Sequence, residues 1–139
     1  MNGIKMDCII KYNYTMQVYL ITNAILYFLF AIWCLIKMGG SSEFLGYSFL
    51  NNTGRVEYLT LYTGLQFGFA AFLGICSFKI DMRSTATIFC VCLYVGIILT
   101  RTISALYYGN ILKATYMVGA LEYLLAIWGI IILIIQFKK

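Results

Sequence analysis

The chain has 139 residues, of which 63% are hydrophobic and 11% charged, where ordinary soluble domains carry about a quarter charged residues. A single core of this size cannot enclose several uncharged runs of about twenty residues, so those runs need lipid around them and a water-soluble globule is excluded. The net charge of +5 comes from cations dispersed at the ends of apolar runs, without a basic cluster or aromatic interleaving, which argues against a nucleic-acid partner.

Met16 to Ile36 is the first uncharged run; at about 1.5 Å per residue it crosses a hydrocarbon layer of about 30 Å. It reads as a retained helix over 16–36, not a cleaved leader, because the run is long and has no small-residue exit. Trp33 beside Cys34 argues against lipid attachment at that cysteine. Lys37 to Arg55 comes next as a loop, broken by Gly39, Gly40, Asn51, Asn52 and Gly54 around the apolar island Phe44 to Leu50, with room for a short interfacial helix.

Two further helices are expected over 58–78 and 84–108, separated by Lys79 to Arg83, and a fourth over 113–137 after the breakers Gly109 and Asn110. With no proline and no long polar linker, the expectation is one all-α domain over 1–139, an integral membrane four-helix bundle. Lys5, Lys11, Lys79, Arg83, Lys138 and Lys139 fall on one side, and Lys37, Arg55, Arg101 and Lys113 on the other. The excess of cations on the first side predicts that both termini are cytoplasmic and the 37–55 loop is outside.

The five cysteines, Cys8, Cys34, Cys76, Cys90 and Cys92, form no CxxC, and the chain has no histidine. They read as packing residues, with no metal and no cofactor expected. The sequons at Asn13 and Asn51 are short patterns common by chance and carry no assignment.

Charges inside the bilayer cost about 2.5–3.5 kcal/mol each, which makes the few present informative. Arg101 and Glu122 sit eight and nine residues from the outer ends of their helices, hence at similar depths of roughly 12–14 Å. Glu57 opens the second helix on the same side, so the three are expected to converge. Such a cluster is either a proton- or cation-linked site or an ion pair that fixes helix register. Spacings of three and four put Glu57 with Gly64, Gly68 and Ala71, and Glu122 with Gly119, Ala126 and Gly129, on small-residue faces expected to pack inside the bundle. Asn23, Tyr27, Tyr62, Gln66, Tyr94 and Ser104 are candidate pocket-lining residues, whereas Tyr19, Tyr107 and Tyr108 fit an interfacial belt.

Val56-Glu57 with Leu61-Tyr62-Thr63-Gly64-Leu65-Gln66-Phe67-Gly68, then Gly96, Leu99-Thr100-Arg101 and Gly109, then Ala120-Leu121-Glu122, occur in an order that resembles the bacterial four-helix membrane family called domain-of-unknown-function four-three-four-five. That family is DoxX-like in architecture. The resemblance covers about 56–135, with Thr63 where the family would have a second glycine. It implies four helices in a bacterial cytoplasmic (inner) membrane and singles out Glu57, Arg101 and Glu122. Through its DoxX-like relatives it implies by analogy a role beside redox complexes or in membrane-protein assembly.

The residues lack a general base of the histidine type, a phosphate-binding glycine loop and a paired nucleophile. The leading expectation is therefore a non-enzymatic accessory or assembly subunit, or a hydrophobic-ligand binder, with the bilayer and a membrane-protein partner or second copy as company. A proton- or cation-coupled transport component, a membrane immunity protein, and an enzyme using a carboxylate on a lipid stay open as alternatives.

Overall fold

A computed structural model describes the backbone over residues 2–137 and side chains over residues 12–136. The side chains of Lys5, Cys8, Lys11, Lys138 and Lys139 lie outside the described residues, and so does their part in the charge count. Four helices are long and apolar enough to span a membrane, and the protein is an integral membrane helical bundle.

Helix α1 runs Asn2–Ile36 and begins well before the expected 16. Next comes a short helix, α2, at Met38–Phe44, within the expected loop and ahead of most of its apolar island. The second span, α3, covers Asn52–Phe78 and starts six residues earlier than its apolar run. The cause is local: the Asn51 side chain accepts from Gly54 N at 3.0 Å, a cap that lets the polar residues 52–57 enter the helix. A single extended residue, Lys79, separates it from α4, Ile80–Tyr108. Asp81 in the first turn of α4 complements the helix dipole, so that helix starts at the hairpin instead of at 84. Gly109 at φ 59° and Asn110 at φ 42° end it, residues suited to left-handed backbone. Helix α5 is Lys113–Phe137, as expected.

The spans run alternately up and down. One end of the bundle holds both termini and the Lys79 hairpin; the other, the loop end, holds α2 and the Gly109 turn. Buried positions on α4, namely Arg83, Ala86, Thr87, Cys90 and Tyr94, recur every three or four residues and face Tyr19, Leu20 and Asn23 of α1 and Leu125 and Ala126 of α5. Tyr19 belongs to this core, not to an interfacial belt: it is fully buried, its hydroxyl donates to the Leu125 carbonyl at 3.2 Å, and its ring meets Trp128 edge-on at 5.2 Å. Tyr107 and Tyr108 are exposed at the loop end of α4, where a belt residue would lie. Cys90 is buried and Cys92 exposed, on different faces.

At the terminal end Arg83, read from sequence only as a topology signal, is buried and donates to the Ser77 carbonyl at 2.8 Å and the Asn13 carbonyl at 3.1 Å. Beside it Gln136 accepts from Tyr12 and exchanges hydrogen bonds with Ser84. All four spans are thus joined by polar contacts at one end, where each bond replaces one that lipid cannot supply.

The small-residue expectation divides. Gly119, Ala126 and Gly129 on α5 are buried or half-buried, but Gly64, Gly68 and Ala71 on α3 point away from the neighbouring helices, and a Cβ added at Gly64 or Gly68 would meet nothing within 4 Å. Their GxxxG therefore faces out of the bundle. Ala70, Leu73, Cys76 and Ser77, buried at spacings of three and four, take the packing side of this regular stretch of α3, and Gly68 and Ala71 lie opposite them; ahead of it stands a π-helical turn at Thr60–Gly64. One extra residue per turn rotates the start of the helix by roughly 100° relative to the remainder.

Candidate ligand cavity

The same π-turn shapes the site. It places Tyr62 and Gln66 on the wall of a cavity of about 650 Å³ between the spans, near the loop end. Tyr27 of α1, Tyr94 of α4 and both Arg101 and Glu122 line it as well. Four of the six expected pocket residues, Tyr27, Tyr62, Gln66 and Tyr94, are therefore brought together around the expected charges.

Two expected lining residues are elsewhere. Asn23 is fully buried behind the wall: it donates to the Tyr19 carbonyl at 2.8 Å and accepts from the Tyr94 hydroxyl at 2.5 Å. Its role is to hold Tyr94. Ser104 lies one turn beyond Arg101 and lines an adjoining groove with Thr100 and Tyr108. Tyr94→Phe is expected to leave the Asn23 amide oxygen without its donor and to cost about 1–3 kcal/mol; thermal unfolding in detergent checks it, and no change would remove Asn23 as the positioning residue.

Glu57 does not join the cluster. Its carboxylate is exposed and makes no hydrogen bond or ion pair among the described residues. Its neighbour Tyr58 is the buried one, and the carboxylate is turned outward.

Arg101 and Glu122 do meet. Arg101 donates from Nε at 2.8 Å and from Nη2 at 2.7 Å to the two carboxylate oxygens, a two-pronged pair joining α4 to α5. Glycine at position 119 makes room for it, since a Cβ there would stand 3.3 Å from Arg101 Cδ.

The roof comes from residues that sequence reasoning left in the loop. Gly46, at φ 83°, reverses the chain after α2 in a conformation few side chains adopt, close to Leu112 at the turn before α5. That reversal brings Tyr47 over the cavity, its hydroxyl 2.6 Å from that of Tyr62. Tyr58 stacks on Tyr62 with centroids 4.7 Å apart and donates to Ser41 of α2 at 3.0 Å. Phe30 and Trp33 complete an aromatic wall on α1. The one sequence signal for this roof was Gly46 beside a tyrosine.

The chain matches no protein-family model, no curated protein and no solved structure. Fold and cavity together define a four-span helical membrane protein with a half-open cavity of ligand size between its spans.

Proposed function

We propose that this protein binds one small hydrophobic ligand in the cavity near its loop end, as a non-enzymatic membrane module that holds the ligand or presents it to a partner. The carrying observation is the chamber itself. Its volume of about 650 Å³ lies inside the range of roughly 300–1,000 Å³ usual for small-molecule sites, and its walls are mostly aliphatic and aromatic with a few convergent polar groups, the usual make-up of such sites. The dispersed cations support an orientation with the termini in the cytoplasm, which puts the cavity in the leaflet facing away from it.

The resemblance to the four-helix bacterial family supports a bacterial inner-membrane setting and adds no activity. Transport coupled to protons or cations rested on a surplus carboxylate, and with Glu57 turned outward the cavity has one carboxylate and one guanidinium.

Filling the cavity tests this reading. Val118→Trp, on the cavity wall, is expected to reduce the amount of amphiphile that stays bound through purification by roughly tenfold, a change of about 1.4 kcal/mol. Native mass spectrometry measures it. Ile103→Trp, on the exposed face of α4, is the control and is expected to retain the ligand. Equal retention in both variants would sink the proposal.

A further inference from the structure

The polar groups around the cavity are unequally used, and the inequality says what kind of head group fits, provided the ligand-binding reading holds. Arg101 spends two of its five N–H groups on Glu122 and keeps three. The Trp33 indole N–H and the Gln66 amide, both on the wall, make no hydrogen bond among the described residues. The Tyr27 hydroxyl is buried and meets no acceptor in good hydrogen-bond geometry; its polar neighbour is the Tyr94 hydroxyl, and the two rings lie alongside each other with planes 10° apart. The two oxygens of Glu122 each already accept from Arg101. The strongest unused groups are the three remaining Arg101 N–H donors, whereas the charged acceptor, Glu122, is already engaged through both oxygens.

Charge runs the other way. Arg101 and Glu122 are the charged residues lining the chamber, and they cancel. An anionic head would bring a net negative charge into low dielectric and a cationic head a net positive one, and desolvating either uncompensated charge costs several kcal/mol. An uncharged acceptor meets the unused donors without that penalty.

We infer that the cavity selects an amphiphile whose polar end is uncharged and accepts hydrogen bonds, a carbonyl-bearing head such as an ester, with its apolar part against Phe30, Leu26 and Val118. Selectivity then lies in the neutrality of the Arg101–Glu122 pair, so changing one partner changes the preferred charge of the ligand.

The test uses the full chain in nanodiscs of phosphatidylcholine, with three probes of equal chain length: methyl palmitate, hexadecanesulfonate and hexadecyltrimethylammonium. Occupancy is read by native mass spectrometry. The native protein is expected to favour the ester by about tenfold over either ion, or about 1.4 kcal/mol. Glu122→Gln, which leaves Arg101 uncompensated, is expected to bind the sulfonate best, and Arg101→Gln to bind the ammonium best. The Arg101→Gln/Glu122→Gln double variant is again neutral and is expected to return to the ester, which keeps the test decisive if a single variant does not fold. A native preference for either ion, or an order that does not track the charge of whichever variants fold, overturns the inference while leaving ligand binding intact. Failure of all three probes to bind counts instead against the ligand reading itself.

Discussion

Arg101→Met is expected to destabilise the bundle by about 3 kcal/mol, the lower end of the range for breaking one half of a buried ion pair. The lower end applies because Arg101 keeps 30% of its side-chain surface exposed, although Glu122 keeps only 14%. The loss comes from the carboxylate left behind, whose two hydrogen bonds vanish together. Removing both partners is different: Arg101→Met/Glu122→Met exchanges the pair for apolar contacts between α4 and α5, and it is expected to recover most of the lost stability. Unfolding of the two variants and of Glu122→Met in one detergent gives a complete cycle. A double variant as unstable as the single one would mean that the pair acts through something other than mutual compensation.

Gly129→Ala is expected to be the most damaging glycine-to-alanine change among the described residues. The added Cβ would stand 2.6 Å from Val91 Cγ2 and 2.7 Å from the Tyr19 hydroxyl, so α5 must move away from α1 and α4 or the Tyr19 ring must leave its place. Overpacking of this kind costs about 1–3 kcal/mol, and displacement of Tyr19 would also forfeit its bond to the Leu125 carbonyl, worth about 1 kcal/mol. The same change at Gly64 or Gly68 meets open space and is expected to be neutral or to stabilise by up to about 1 kcal/mol through helix propensity. Thermal unfolding of the three alanine variants distinguishes the glycines that let helices touch from those that do not. An unaffected Gly129→Ala would contradict the close crossing of α1, α4 and α5.

The contrast between these glycines shows where sequence reading works here and where it stops. Uncharged runs of about twenty residues define spans because lipid demands them, and the α5 small-residue face is legible because that helix is regular from end to end. The α3 stripe was legible but its direction was not: Glu57, Gly64, Gly68 and Ala71 are all exposed, because Ala70, Leu73 and Cys76 take the packing side. Depth, by contrast, survives local irregularity: Arg101 and Glu122 were matched by their distance from the helix ends, and they pair. Glu57 was placed only on the same side, at the start of its helix, and it points elsewhere, since a shared side fixes level and not direction.

Tyr47 and Arg83 mark the other limit. A tyrosine in a loop has no periodic face, so its place over the cavity depends on the Gly46 reversal and on contacts with α3 that are remote in sequence. Arg83 sits among hairpin cations and is distinguished from them only by the carbonyls of Ser77 and Asn13 that the fold brings to it. The Asn51 cap, in contrast, was present in the sequence as an asparagine three residues ahead of Gly54, and it announces the early start of α3.

Photolabelling tests the central claim most directly. A palmitate methyl ester carrying a diazirine in its chain, irradiated with the full protein in nanodiscs and mapped by peptide sequencing, reports where the ligand rests. Labels are expected to concentrate on the cavity wall, at Leu26, Tyr27, Phe30 and Trp33 of α1, Tyr62 and Gln66 of α3, and Val118, Leu121 and Leu125 of α5, and to fall in Val118→Trp. Labels spread evenly over the exposed faces, at Ile25, Ile103, Leu106 and Ile131, with none enriched at the wall, would contradict it.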